Sequence, residues 1–127
     1  EVANRLTAAP GNKIYGGITL LAQYHAELEY LFSVPSECFF PRPKVNGAVI
    51  RLKFRQKHEL PKVDYEKFSQ IVKACFSQRR KMMSNSLGQL TDLPSGWKEI
   101  DFDFSLRPER LSLDQFVILT QELSKLA

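Results

Sequence analysis

Cysteine is scarce in this sequence. Cys38 and Cys75 stand alone, with 36 residues between them, no Cys-x-x-Cys and only His25 and His58 as further soft ligands. Such spacing speaks against a disulfide framework or a zinc site and predicts two buried or semi-buried thiols in a reducing compartment, hence a cytoplasmic protein. Long apolar runs are missing too. No stretch approaches the roughly 18 residues of a membrane span, and the amphipathic Glu1-Val2-Ala3-Asn4-Arg5 leads into no signal-peptide core. A Gly-rich phosphate loop, a Gly-x-Ser-x-Gly elbow, a His-Glu-x-x-His pair, an EF-hand loop and internal repeats are all lacking, so the residues alone complete no catalytic set. The chain also lacks an initiator methionine and opens in a helical pattern, which reads as part of something longer.

What is present starts with an ordinary globular balance, 43% hydrophobic and 25% charged residues in 127. The charge is unevenly spread. Residues 1–39 carry two basic and four acidic groups, residues 40–81 twelve and three, and residues 82–127 four and seven. A net +9 in the middle third favours a polyanionic partner over a merely solvated face.

That basic region begins at an unusual stretch, Cys38-Phe39-Phe40-Pro41-Arg42-Pro43-Lys44-Val45-Asn46-Gly47. Each proline fixes its own φ and pushes the residue before it toward extended backbone, so Phe40 and Arg42 resist a helix and the loop orders cheaply. A loop of this kind can hold an aromatic ring still for a ligand. It feeds Ala48 to Phe54, where Val, Ile and Leu alternate with Arg51 and Lys53 as in a half-buried strand. Glu29 to Val34 has similar alternation and ends at Pro35-Ser36, so the two runs form a strand pair joined by about a dozen residues. The pair should be the edge of a larger sheet, because two strands rarely stand alone in water.

Around this pair the pattern is helical. Val2, Leu6 and Ala9 fit a helix stopped by Pro10-Gly11-Asn12; Ile18, Leu21, Ala22 and Leu28 place a second from Gly17 to Glu27. His25 on it receives no role. After the polar Gln56 to Lys62, Tyr65, Phe68, Ile71, Val72, Cys75 and Phe76 recur at steps of three and four, giving a helix from Tyr65 to Gln78 capped by Asp64. Arg79-Arg80-Lys81 follows. Three cations there complement the helix dipole or contact phosphate, and the residues alone leave both open. Asn85 and Ser86 should start a short helix bearing Leu87 and Leu90. Trp97, Ile100, Phe102 and Phe104 are expected to plug the helical core, and Ser112 with Gln115 forms a capping box, aided by Leu111 and Phe116, for a last helix from Leu113 to Lys125.

Several ordered blocks resemble the KsgA-type ribosomal RNA adenine dimethyltransferases. They are Glu1-Val2-Ala3-Asn4-Arg5-Leu6, Tyr15-Gly16, Leu21-Ala22-Gln23-Tyr24, Phe39-Phe40-Pro41-Arg42-Pro43-Lys44-Val45, Phe76-Ser77-Gln78-Arg79-Arg80-Lys81 with Asn85-Ser86-Leu87, and Arg107-Pro108-Glu109-Arg110-Leu111-Ser112. The last two blocks separate this type from the related Erm methyltransferases, whose small C-terminal domain differs. Asn46-Gly47 departs mildly from the Asp-Ser or Asn-Ser frequent in relatives.

The resemblance implies an α/β plus α chain: residues 1–56 as the C-terminal end of a Rossmann-like methyltransferase sheet, with helices and an antiparallel edge pair, and residues 57–127 as a small all-helical domain. It implies transfer of methyl groups from S-adenosylmethionine to two adjacent adenosines near the 3′ end of small-subunit ribosomal RNA, on the pre-30S subunit, during ribosome biogenesis. Phe39 matches the aromatic that stacks on the target adenine, and Arg42, Lys44, Arg79, Arg80 and Lys81 are the candidates for RNA phosphate. The family's Gly-rich cofactor loop, its acidic ribose ligand and its Asn-x-Pro-Tyr loop have no counterpart here, so this chain alone should hold no cofactor, no metal and no catalytic residue. The alternative is a noncatalytic RNA- or ribosome-binding module of the same descent.

Overall fold

The computed structural model describes residues 1–126; Ala127, the last residue of the second expected domain, lies outside the described residues. Five helices and one two-stranded sheet follow in the order α1 (Val2–Leu6), α2 (Gly17–His25), β1 (Ala26–Val34), β2 (Gly47–Phe54), α3 (Tyr65–Ser77), α4 (Met83–Leu87) and α5 (Leu113–Lys125). Short 3₁₀ turns at Ser36–Cys38, Lys57–Glu59, Trp97–Glu99 and Pro108–Arg110 punctuate the connections.

Local chemistry explains the ends of these elements. At the start of α2, the Gly16 N–H donates to the Thr19 hydroxyl at 3.1 Å, and that buried hydroxyl donates in turn to the Arg5 carbonyl. At α3 the Asp64 carboxylate accepts from the Glu66 N–H at 3.0 Å. The expected capping box of α5 is complete: Ser112 Oγ accepts from the Gln115 N–H at 3.3 Å and Gln115 Oε1 from the Ser112 N–H at 2.9 Å. The N-terminal amides of α4 are satisfied from a distance, Met83 by the Leu106 carbonyl at 2.7 Å and Ser84 by that of Phe104 at 3.0 Å. Thus Asn85 and Ser86 sit inside α4 and not at its start, and Leu90 lies beyond its end.

One core collects the apolar faces of all the helices except α1. Phe68, Ile71, Val72 and Cys75 of α3 meet Phe116, Leu119 and Leu123 of α5, Met83 and Leu87 of α4, and Leu20 and Tyr24 of α2. Tyr24 packs its ring against Tyr65 at 4.8 Å and Phe68 at 5.4 Å. Burying each such side chain contributes about 1.5 to 3 kcal/mol. Trp97, Ile100, Phe102 and Phe104 close the bottom of this core as expected, the two phenylalanines 5.0 Å apart and Trp97 edge-on to Phe104 at 5.2 Å.

β1 and β2 pair antiparallel from Ala26↔Phe54 to Val34↔Gly47, with a bulge between Tyr30 and Phe32. The register makes the hairpin two-faced. Leu28↔Leu52 and Tyr30↔Ile50 fall on one face; Glu27↔Lys53 and Glu29↔Arg51 fall on the other, the latter pair joined at 3.3 Å.

Three expectations change here. The second helix stops at His25 instead of Glu27, because Ala26 turns extended and begins a strand that starts three residues earlier than read. The first helix ends at Leu6, well before Pro10. The strands alternate as predicted but are not half-buried: Leu52 is 45% and Phe54 70% exposed, since α1 and α2 flank the pair and no further layer among the described residues covers its apolar face.

Candidate functional site

The Pro-rich loop between β1 and β2 is tied at its base. Its centre is Ser36, which is buried. The Ser36 N–H donates to Asn46 Oδ1 at 3.0 Å, bridging the two ends of the loop, and Arg42 Nε donates to Ser36 Oγ at 3.2 Å from the far side. These two bonds convert a dozen residues into a closed collar, with a cis Phe40–Pro41 peptide at its crown.

Phe39 lies on this collar with its ring over Gly47. A Cβ at position 47 would stand 3.1 Å from Phe39 Cζ, so the glycine leaves the space the ring occupies. The residue remains 44% exposed, so part of its side chain is open to solvent. Phe40 is fully exposed, and Val45 is largely so. Cys38 is exposed also, against the expectation of a buried or semi-buried thiol, because the 3₁₀ turn at Ser36–Cys38 directs Ser36 inward in its place. Cys75 is fully buried, and desolvation pushes its thiol up to about 12.

The five expected phosphate contacts occupy three settings. Arg42 is engaged with Ser36, so it shapes the loop as well as charging it. Lys44 is exposed at the end of the loop, and Arg80 and Lys81 are exposed beyond α3; among the described residues none of these three is paired with a carboxylate. Arg79 is different. Its Nη2 donates to the Tyr15 carbonyl at 2.8 Å, lies 3.6 Å from Glu109, and the guanidinium sits 5.9 Å from the Phe76 ring centre. Tyr15 in turn is buried, donates its hydroxyl to the Leu111 carbonyl at 2.6 Å, and titrates well above the usual phenol range because burial disfavours its anion.

Sequence reading missed Ser36, Asn46 and Gly47 as the parts that hold Phe39. The Asn46-Gly47 pair is a recognisable turn signal, yet no local pattern shows that its carboxamide reaches back ten residues.

Among the described residues the sheet is a single antiparallel pair, with no parallel strands. Among them there is also no group of three His, Cys, Asp or Glu able to hold a metal, and no helix is long and apolar enough to cross a membrane.

The family model for ribosomal RNA adenine dimethylase matches residues 1–96. The chain is similar to the ribosomal RNA small subunit methyltransferase A of Chlamydia felis, 42% identical over 127 residues covering 98% of this chain and 45% of that protein. It is also similar to that of Legionella pneumophila, 40% identical over 124 residues covering 98% and 48%. Among solved structures it is similar to a dimethyladenosine transferase from Plasmodium falciparum, with a TM-score of 0.78 and 19% identity over 98% of this chain and 55% of that one. The 23S rRNA methyltransferase ErmE follows, with a TM-score of 0.63 and 21% identity over 97% and 51%. The chain spans about half the length of the curated relatives it matches. With most of its length under the family model and its loop, strand pair and helical core arranged as described, this chain belongs to the ribosomal RNA adenine dimethylase family.

Proposed function

We propose that this chain is the C-terminal portion of a ribosomal RNA adenine N6,N6-dimethyltransferase that modifies two adjacent adenosines near the 3′ end of small-subunit rRNA, in the cytoplasm and on the pre-30S particle. Residues 1–56 close the edge of the S-adenosylmethionine-dependent methyltransferase domain, and residues 57–127 form the helical C-terminal domain. The observation that supports this is Phe39, a partly exposed ring beside Gly47 in a tied loop.

An adenine buried in stacked RNA exposes no face to an enzyme, so a base to be modified leaves the stack and needs a new partner. A phenylalanine face supplies about 1 to 3 kcal/mol per base and accepts any base. Phe39 therefore supports the extruded base without choosing it. Choice of site falls to RNA shape, which Lys44, Arg80 and Lys81, with Arg42 and Arg79, sense through phosphates. S-adenosylmethionine supplies the methyl group, and the residues that bind it and polarise the target amine belong to the preceding half of the family's proteins. The present chain alone methylates nothing.

The test is Phe39→Ala in the full-length enzyme, with methylation and RNA affinity measured side by side. The expected outcome is a loss of methylation of tenfold or more with affinity changed under threefold. Equal losses in both would make Phe39 a docking residue. RNA binding with no methylation by any longer form of the protein would instead identify a noncatalytic RNA-binding module.

A further inference from the structure

We propose that a second phosphate seat lies away from the loop, in the recess between the segment preceding α2 and the end of α3. It is lined by Arg5, Lys13, Ile14, Gly16, Gly17, Phe76 and Arg79 and has a volume of about 350 Å³. The ligand class is the phosphodiester backbone of structured RNA, so the proposal rests on the reading of this chain as RNA-binding.

Three cations reach the recess from three separate segments. Arg79 is already fixed in place: one of its donors is used on the Tyr15 carbonyl, and the guanidinium packs near the Phe76 ring. A guanidinium has five donors, and with its position set by protein contacts it loses little entropy on meeting an anion. Glu109, 3.6 Å away, offsets part of its charge without saturating it. Among the described residues Arg5 is paired only with Glu1, four residues earlier, at 3.1 Å and with both side chains largely exposed. An exposed, solvent-screened pair of this kind contributes little, so a phosphate displaces the carboxylate at small cost. Lys13 has no carboxylate within ion-pair distance among the described residues.

The shape favours a polymer over a free ion. The recess is open to solvent, and the exposed side chains of Ile14 and Ile18 also line it, which suit a sugar edge and not a hydrated ion. Arg79 also begins the Arg79-Arg80-Lys81 run, so a strand seated here continues onto two free cations. Tyr15 and Glu109, which hold Arg79, couple the seat to the turn before α5.

The experiment measures binding of this chain to a labelled hairpin RNA from the 3′ end of small-subunit rRNA, over a series of salt concentrations. The proteins are wild type, Arg5→Ala, Lys13→Ala, Lys13→Arg, the double variant Arg80→Ala/Lys81→Ala, and Lys125→Ala as a control of equal charge change. Removing one cation that neutralises a phosphate reduces the slope of log K against log salt by about 0.7 to 0.9. Arg5→Ala and Lys13→Ala are expected to show that reduction with severalfold weaker binding, Lys13→Arg to restore it, and Lys125→Ala to match wild type. If Lys13→Ala and Arg5→Ala behave as the control while the double variant weakens, the recess is overturned and the RNA-binding reading stands. Wild-type chain with no salt-dependent affinity overturns both. Circular dichroism confirms that each variant is folded.

Discussion

The ring of Phe39 and the backbone of Gly47 are in direct contact across the mouth of the loop, close enough that a side chain at 47 would strike Cζ at 3.1 Å and Cε2 at 3.4 Å. Gly47 is not in the left-handed region, so its substitution strains the ring contact and not the chain. In the full-length enzyme, Gly47→Val is therefore expected to lower methylation about fivefold to tenfold, a loss of roughly 1 to 1.4 kcal/mol of stacking. Gly47→Ala should cost less, because the ring can yield by a few tenths of an ångström. Kinetics on both variants against unchanged RNA affinity checks this, and full activity in Gly47→Val would show that the ring needs no such seat.

Helix caps should report on the stability of the shared core. Asp64→Ala removes the carboxylate that accepts from Glu66, and Ser112→Ala opens the box with Gln115. Each is expected to destabilise by about 1 kcal/mol. Thermal unfolding should fall by a few degrees in each, while Asp114→Ala, one position inside the same helix, falls by less.

The two thiols should part company on labelling. Cys38 is exposed and Cys75 fully buried. One equivalent of a thiol reagent should react rapidly in the folded chain, and the second only after denaturation. Alkaline pH adds a second readout. In the unfolded chain Cys75 loses its proton near 9.0, whereas in the fold it keeps it up to about 12. Above pH 9 the unfolded state thus binds fewer protons than the native one, so stability declines as pH rises toward 12. Tyr15 adds to that decline from pH 10 upward. Cys75→Ala should flatten the lower part of the slope.

The apolar face of the hairpin predicts self-association. Leu52 and Phe54 leave apolar area in water beside unpaired strand edges. Sedimentation of the isolated chain should show concentration-dependent association that Phe54→Ser reduces. Its melting temperature should change little, because the side chain is 70% exposed.

How much of this is legible in residue order depends on range. The caps at Asp64 and Ser112 and the stripes of α3 and α5 are readable because their partners lie two to eight residues away. The strand alternation is readable as well, and the pairing of Glu29 with Arg51 fits it. Burial of the hairpin is not, since alternation states which face is apolar and not whether a layer covers it. The boundary at Ala26 is hidden because Leu28 continues the helical spacing of Ile18 and Leu21. At the candidate site, Phe39 stands out by its prolines, but the bond from Ser36 to Asn46 joins residues with no shared pattern. The hydrogen bond of Arg79 to Tyr15 spans 64 positions, which no periodicity reveals.

Ala8, Tyr15, Leu20 and Tyr24 lie in the same core as Phe68, Val72 and Phe116, on opposite sides of the exposed stretch near Lys57–Glu59. A protease nick in that stretch would therefore break the chain without releasing its parts. The two pieces should co-elute under native conditions and separate only in denaturant, and neither should fold when expressed by itself, while mixing the two should restore the structure by complementation.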